Sequence, residues 1–171
     1  MRYLFLVLNS FLSVVINNAV SPRIPIFGVQ MDFILLGLAG VIFFEDSLSD
    51  IWYSMICIFA MDVFFARTYG FYALQYISAC LTFYLITSGR KKELWIFIAG
   101  LSAAYLIREI TGVVGCFLSD NPVNLWSRLI HVTIKGIFLH ALLGCILYFL
   151  YKKAYDMRLL KHASREIDSY V

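Results

Sequence analysis

Seven ionisable side chains stand out inside or beside apolar runs of this 171-residue chain as candidates for a polar cluster: Asp32, Asp62, Arg67, Arg108, Glu109, His131 and Lys135. Asp62 is the sharpest case. It stands near the end of Ile51 to Ala66, a run with no other charge that leads straight into Arg67-Thr68-Tyr69-Gly70. A carboxylate in hydrocarbon is costly unless it faces protein or water, so such a residue is a functional candidate by default. Asp32, Asp62 and Glu109 balance Arg67, Arg108 and Lys135, and a neutral set of acids and bases implies mutual pairing. Arginine suits that task because its planar fork takes a carboxylate with two bonds at once. Two carboxylates sharing a site would instead support aspartyl-type acid–base chemistry. The matching supply of bases argues against it, and the chain has no H-E-x-x-H pair, G-x-S-x-G elbow, P-loop or dinucleotide fingerprint. No enzyme and no cofactor are expected. His131 and His140 read as packing histidines in preference to metal ligands, so no metal is expected either.

The elements that must position these groups follow from composition. With 61% hydrophobic, 17% aromatic and 15% charged residues and a mean hydropathy of +0.81, the chain has too little polar surface to cover a water-soluble globule. A bilayer core needs roughly 20 apolar residues per helix. The sequence predicts an all-α, polytopic transmembrane bundle of six helices, over Tyr3 to Val20, Val29 to Phe44, Ile51 to Ala66, Phe71 to Thr87, Leu94 to Val114 and Leu129 to Tyr151. A cleaved signal peptide is the competing reading of the first run, but no small-residue cleavage motif follows it. Cys57, Cys80, Cys116 and Cys145 form no C-x-x-C pair and read as small core residues.

Basic residues set the expected orientation. With the N-terminus in the cytoplasm, Arg2, Arg90, Lys91, Lys92, Lys152, Lys153, Arg158, Lys161 and Arg165 fall inside, against Arg23, Arg67 and Arg128 outside. Both termini are then cytoplasmic, and residues 152–171 form a basic tail beside anionic lipid. A single six-span domain, residues 1–151, precedes it, and no nucleic acid is expected as a partner.

Helical rise places the charges by depth. Asp62 lies about 16 Å above the inner end of its span, and Arg108 and Glu109 roughly 20 Å above Leu94. Asp32, His131 and Lys135 lie near the outer surface, so the intramembrane charges gather at one level, with Arg108 and Lys135 at a depth compatible with Asp62. Arg67, just past its span, is expected to snorkel to the headgroups. Arg108 falls on a stripe with Gly100, Ala104 and Gly112 at i, i+4 spacing, the small-residue pattern that lets membrane helices approach closely. Gly136, His140 and Gly144 make a second such face.

The segment from Pro22 to Tyr84 resembles the rod shape-determining MreD family. The resemblance rests on Val29-Gln30-Met31-Asp32-Phe33 opening the second span, and on Met61-Asp62 followed by Gly70-Phe71-Tyr72-Ala73-Leu74. Asp32 and Asp62 match the family's two acids, and Gly70, Ala73 and Leu74 its later segment; Met31 stands where proline is usual, and Phe59-Ala60 where glycine-leucine is. The resemblance implies a non-enzymatic, multi-pass adaptor of the bacterial inner membrane that serves cell elongation and peptidoglycan synthesis. Its implied partners are an MreC-like membrane protein, a RodA-type glycosyltransferase, a penicillin-binding transpeptidase and the MreB filament. The outer charge cluster would then dock a partner's juxtamembrane segment. The rival expectation is a substrate-capture subunit of an energy-coupling-factor vitamin transporter, similar in size, span count and outward-facing site. Such subunits carry an Ala-x-x-x-Ala face in the first span, and here only Ala99 and Ala103, in the fifth, provide one.

Overall fold

A computed structural model describes residues 2–45, 58–59, 70–118 and 132–156. Five helices run through them: α1 Arg2–Ala19, α2 Phe33–Glu45, α3 Phe71–Thr87, α4 Leu94–Leu118 and α5 Ile134–Asp156. Among the described residues there is no strand, only an isolated bridge between Ile26 and Val29. Two segments, Leu94–Phe117 in α4 and Ile134–Tyr155 in α5, are long and apolar enough to cross a membrane. α1, α2 and α3 are shorter apolar helices. The third predicted span, with Asp62, and Arg67 just past its end lie outside the described residues except for Ile58 and Phe59, which are helical; Ile58 is buried in the core.

α2 is the hub, in contact with each of the other four helices. Its sequence FILLGLAGVIFFE is apolar on every side, and a helix without a polar face must be enclosed. Residues 34–43 are all buried. The sequence predicts a helix from Val29, but helical structure begins only at Phe33. Asp32 caps it, its Oδ1 accepting from the Leu35 amide at 3.0 Å, and an N-cap residue takes non-helical dihedrals. Residues 29–32 are therefore non-helical, and a tight turn precedes them, with Ile26 and Val29 exchanging backbone hydrogen bonds. Phe27 (φ 53) and Gly28 (φ 78) occupy its centre, the positive dihedrals that a two-residue hairpin turn requires.

α2 ends at the base of the bundle, where Phe43 meets Phe97 of α4 with ring centroids 5.2 Å apart and Tyr148 of α5 at 6.1 Å. α3 begins at the other end, with Tyr76 beside Asp32, and runs down to Phe83, 5.7 Å from Phe97. It stops in a turn at Thr87–Arg90, where Ser88 (φ −60, ψ 136) and Gly89 (φ 68) carry type II dihedrals. α4 then climbs and α5 descends beside it. The helix crossings use small residues. A Cβ on Gly100 would come 2.9 Å from Thr87 Cγ2, one on Gly40 2.5 Å from the Tyr151 ring, and one on Gly144 2.6 Å from Leu101. Gly136 lies against the Tyr105 ring, Ala104 is fully buried and Gly112 is buried.

Candidate polar centre

Asp32 gathers the upper end of the bundle. Its position at the start of α2 sets a carboxylate against the unpaired amides and positive dipole end of that helix. From α3, the Tyr76 hydroxyl lies 3.0 Å from both carboxylate oxygens. From α4, Arg108 Nε approaches Oδ2 to 2.6 Å, as an ion-pair contact without an aligned hydrogen bond. From α5, His140 Nε2 accepts the Asp32 backbone amide at 2.9 Å. α1 contributes Asn17, whose Oδ1 accepts the Phe33 amide at 3.1 Å. Asp32 thus ties α2 to α3, α4 and α5, and the adjoining Phe33 amide brings in α1.

The neighbouring groups are ordered by the same logic. Arg108 Nη1 donates to Glu109 Oε1 at 2.8 Å, and its guanidinium carbon lies 5.6 Å from the Tyr76 ring centroid, within cation–π range. Asp32 is 3% exposed and Arg108 20%, so the pair is removed from bulk solvent. His140 is fully buried. Its Nδ1 donates to the Gly136 carbonyl at 2.7 Å, which leaves Nε2 as the acceptor and defines a neutral imidazole. Tyr105 packs on the ring at 4.2 Å between centroids. These bonds make His140 a satisfied core histidine.

Two cavities flank Arg108. One, of about 280 Å³, lies between the non-helical segment 28–32 and α4, with Asn17, Asp32, Arg108 and Glu109 in its wall. The other, of about 230 Å³, lies on the α3 side, with Asn18, Gln30, Tyr72 and Tyr76 in its wall. Both are large beside the roughly 30 Å³ that one water molecule occupies in the liquid.

Of the residues singled out in the sequence, the structure brings together Asp32, Arg108 and Glu109. Lys135 stands apart, exposed on the first turn of α5. Asp62, Arg67 and His131 lie outside the described residues. Arg108, expected as a partner for Asp62, meets Asp32 and Glu109. Sequence reasoning missed Tyr76 and the polar side chains of α1. Asn9, Ser13 and Asn17 recur every four residues through a mostly apolar helix, and that spacing was the available signal. Asn9 Nδ2 reaches the Gly37 carbonyl at 3.4 Å, and its Oδ1 accepts the Tyr151 hydroxyl at 2.5 Å. At the base, the Lys92 ammonium donates to the Phe43 carbonyl, a cation at the negative end of α2. Among the described residues no three metal-ligating side chains cluster.

Searches against protein-family models, curated proteins and solved structures found no match to this chain.

Proposed function

We propose that this chain is a multi-pass protein of the bacterial inner membrane and a non-enzymatic adaptor of the cell-elongation machinery, the role that its resemblance to MreD implies. The observation that carries the reading is an inverted polarity. Asn9, Ser13, Asn17, Asp32, Arg108, Glu109 and His140 point into the bundle or its cavities, while Leu4, Phe11, Leu85, Trp95, Phe138 and Phe149 are exposed. Lipid is the solvent in which that arrangement is stable. α2 ends at the base and α3 starts at the polar end, and Ile58 is helical and core-buried between them in sequence. A sixth crossing between α2 and α3 accounts for both facts. Arg90, Lys91, Lys152 and Lys153, all exposed at the base, support a cytoplasmic placement of that end.

The polar centre then opens outward, where a partner can engage it. The cavities beside Arg108 favour a second reading, the substrate-capture subunit, because a polar pocket of about 280 Å³ lies near the lower end of the range for small-molecule sites, about 300 to 1,000 Å³. Purification of the full chain from its native membranes, with bound proteins and small molecules identified by mass spectrometry, separates the two. Recovery of an MreC-like or RodA-type protein supports the adaptor; a stoichiometric vitamin without protein partners overturns it.

A further inference from the structure

The connection between α1 and α2 turns its backbone inward and its apolar side chains outward. Val20, Ile24 and Phe27 are exposed, Phe27 to 77%. In water, a hairpin turn with two positive dihedrals selects Asn-Gly or Asp-Gly. Here an aromatic residue holds the first position at φ 53, a conformation that a bulky side chain adopts only against a steric penalty. The Val20 and Ser21 amides donate to the Ile16 carbonyl, those of Arg23 and Ile24 to Val20, and Ile26 and Val29 exchange theirs. The Ser21 hydroxyl donates to the Met31 carbonyl at 2.6 Å, and Pro22 and Pro25 have no amide to place. Residues 28–31 line the larger cavity. Backbone closed on itself, or turned to a polar cavity, is the form in which irregular structure is tolerated at membrane depth.

The level of the segment agrees. Residues 28–31 share that cavity wall with Tyr105, Arg108 and Glu109 of α4. Between Arg108 and Phe117 the exposed residues of α4 are Ile110, Val114 and Phe117, all apolar, so the apolar surface continues about 14 Å beyond Arg108 by helical rise. The connection therefore begins below the outer limit of that surface. Its apolar side chains also continue the exposed face of α1, formed by Leu8, Phe11 and Val15. Arg23, exposed among them, has a stem long enough to lie along apolar surface while its guanidinium reaches the lipid phosphates.

On the membrane-spanning reading proposed above, we infer that residues 20–27 are a lipid-binding surface seated in the outer leaflet, with acyl chains packed on Ile24 and Phe27 and the Arg23 guanidinium among the phosphates. The full chain carrying Phe27→Trp is reconstituted in vesicles of phosphatidylethanolamine and phosphatidylglycerol. Part of the lipid is brominated either near the headgroup end of the acyl chain or near its methyl end, and the emission of the unsubstituted chain is subtracted. Phe11→Trp, about 9 Å below Asn17 by helical rise, is the reference for the bilayer interior. Position 27 should lose at least about half of its emission to bromine near the headgroups, and about twofold less to bromine near the methyl end, as befits a segment at the boundary of headgroups and chains; position 11 should show the opposite order. Quenching at position 11 without quenching at position 27 overturns the lipid seat and leaves the membrane-spanning reading standing, whereas no quenching at either position refutes that reading itself.

Two further arms test the contacts. In the Phe27→Trp chain, Arg23→Glu sets a like charge among the phosphates and should reduce the quenching at least about twofold, while Arg23→Lys retains it; equal quenching in all three chains refutes the phosphate contact. In native membranes, irradiation of a Phe27→p-benzoylphenylalanine chain should give phospholipid adducts. Crosslinking to another protein in their place assigns the patch to a partner and rules out lipid as its occupant.

Discussion

Asp32 offers the most demanding test because its three roles separate by substitution. Asp32→Ala removes the helix cap, about 1 kcal/mol, strands a buried Tyr76 hydroxyl, about 1 kcal/mol or more, and strips Arg108 of its closest counter-charge. Breaking a buried ion pair costs about 3 to 5 kcal/mol when the remaining charge has no other partner. Here Glu109 stays on Arg108 at 2.8 Å and the arginine is 20% exposed, so about 2 kcal/mol is the appropriate share. The sum predicts a loss of about 4 kcal/mol for Asp32→Ala. Asp32→Asn keeps a good cap and an acceptor for Tyr76, and should lose only the electrostatic part, about 2 kcal/mol. Arg108→Met leaves a carboxylate 3% exposed without its cation, at about 3 kcal/mol. The double variant Asp32→Asn/Arg108→Met removes both charges and should fall short of the sum of the singles by about 2 kcal/mol. The assay is unfolding of the purified protein in mixed micelles of increasing SDS fraction, followed by circular dichroism. Additivity within about 0.5 kcal/mol, or an Asp32→Asn variant as unstable as Asp32→Ala, would refute the account of the centre as a coupled pair built on a helix cap.

The other predictions use the same unfolding measurement. Gly136→Ala sets a methyl group 2.5 Å from Tyr105 Cζ and should cost about 1 to 3 kcal/mol by overpacking; Gly28→Ala, with open space around it, should cost only the dihedral strain of φ 78, about 1 kcal/mol. Lys92→Met removes the ammonium from the Phe43 carbonyl and should destabilise by about 1 kcal/mol, with the charge-preserving Lys92→Arg recovering part of it. Tyr151→Phe leaves Asn9 Oδ1 without its 2.5 Å donor and should cost about 0.5 to 1.5 kcal/mol, the range for hydrogen bonds between membrane helices.

Much of the helical layout was legible because long apolar runs, broken by polar or turn-forming residues, mark the helices that bury against one another. The Phe71 to Thr87 run coincides with α3, and the other described helices shift at their ends. Those shifts arise where apolar character does not distinguish helix from extended chain. Val29 is as hydrophobic as Ile34, yet it belongs to a turn, and α4 continues through Gly115 to Leu118. The spacing of Gly100, Ala104 and Arg108 places them on one side of a helix, but depth alone cannot choose among acids at one level. The preference of Arg108 for Asp32 depends on how α2 and α4 meet. The role of Tyr76 was hidden for a related reason: an aromatic residue in an aromatic-rich chain carries no mark until its hydroxyl has a neighbour.

On the proposed membrane-spanning reading, the polar spine of α1 bears on how the chain is inserted. Asn9 finds partners on α2 and α5, Ser13 lies against Gly37, and Asn17 accepts the first amide of α2. Emerging from a translocation channel on its own, α1 would carry that spine, with Ser10 and Asn18 besides, into lipid, while α2, at 13 residues or about 20 Å, is too short to bridge the bilayer core. Neither segment is a competent insertion unit alone. They should leave the channel together as one antiparallel pair, with release of α1 delayed until synthesis has passed Glu45.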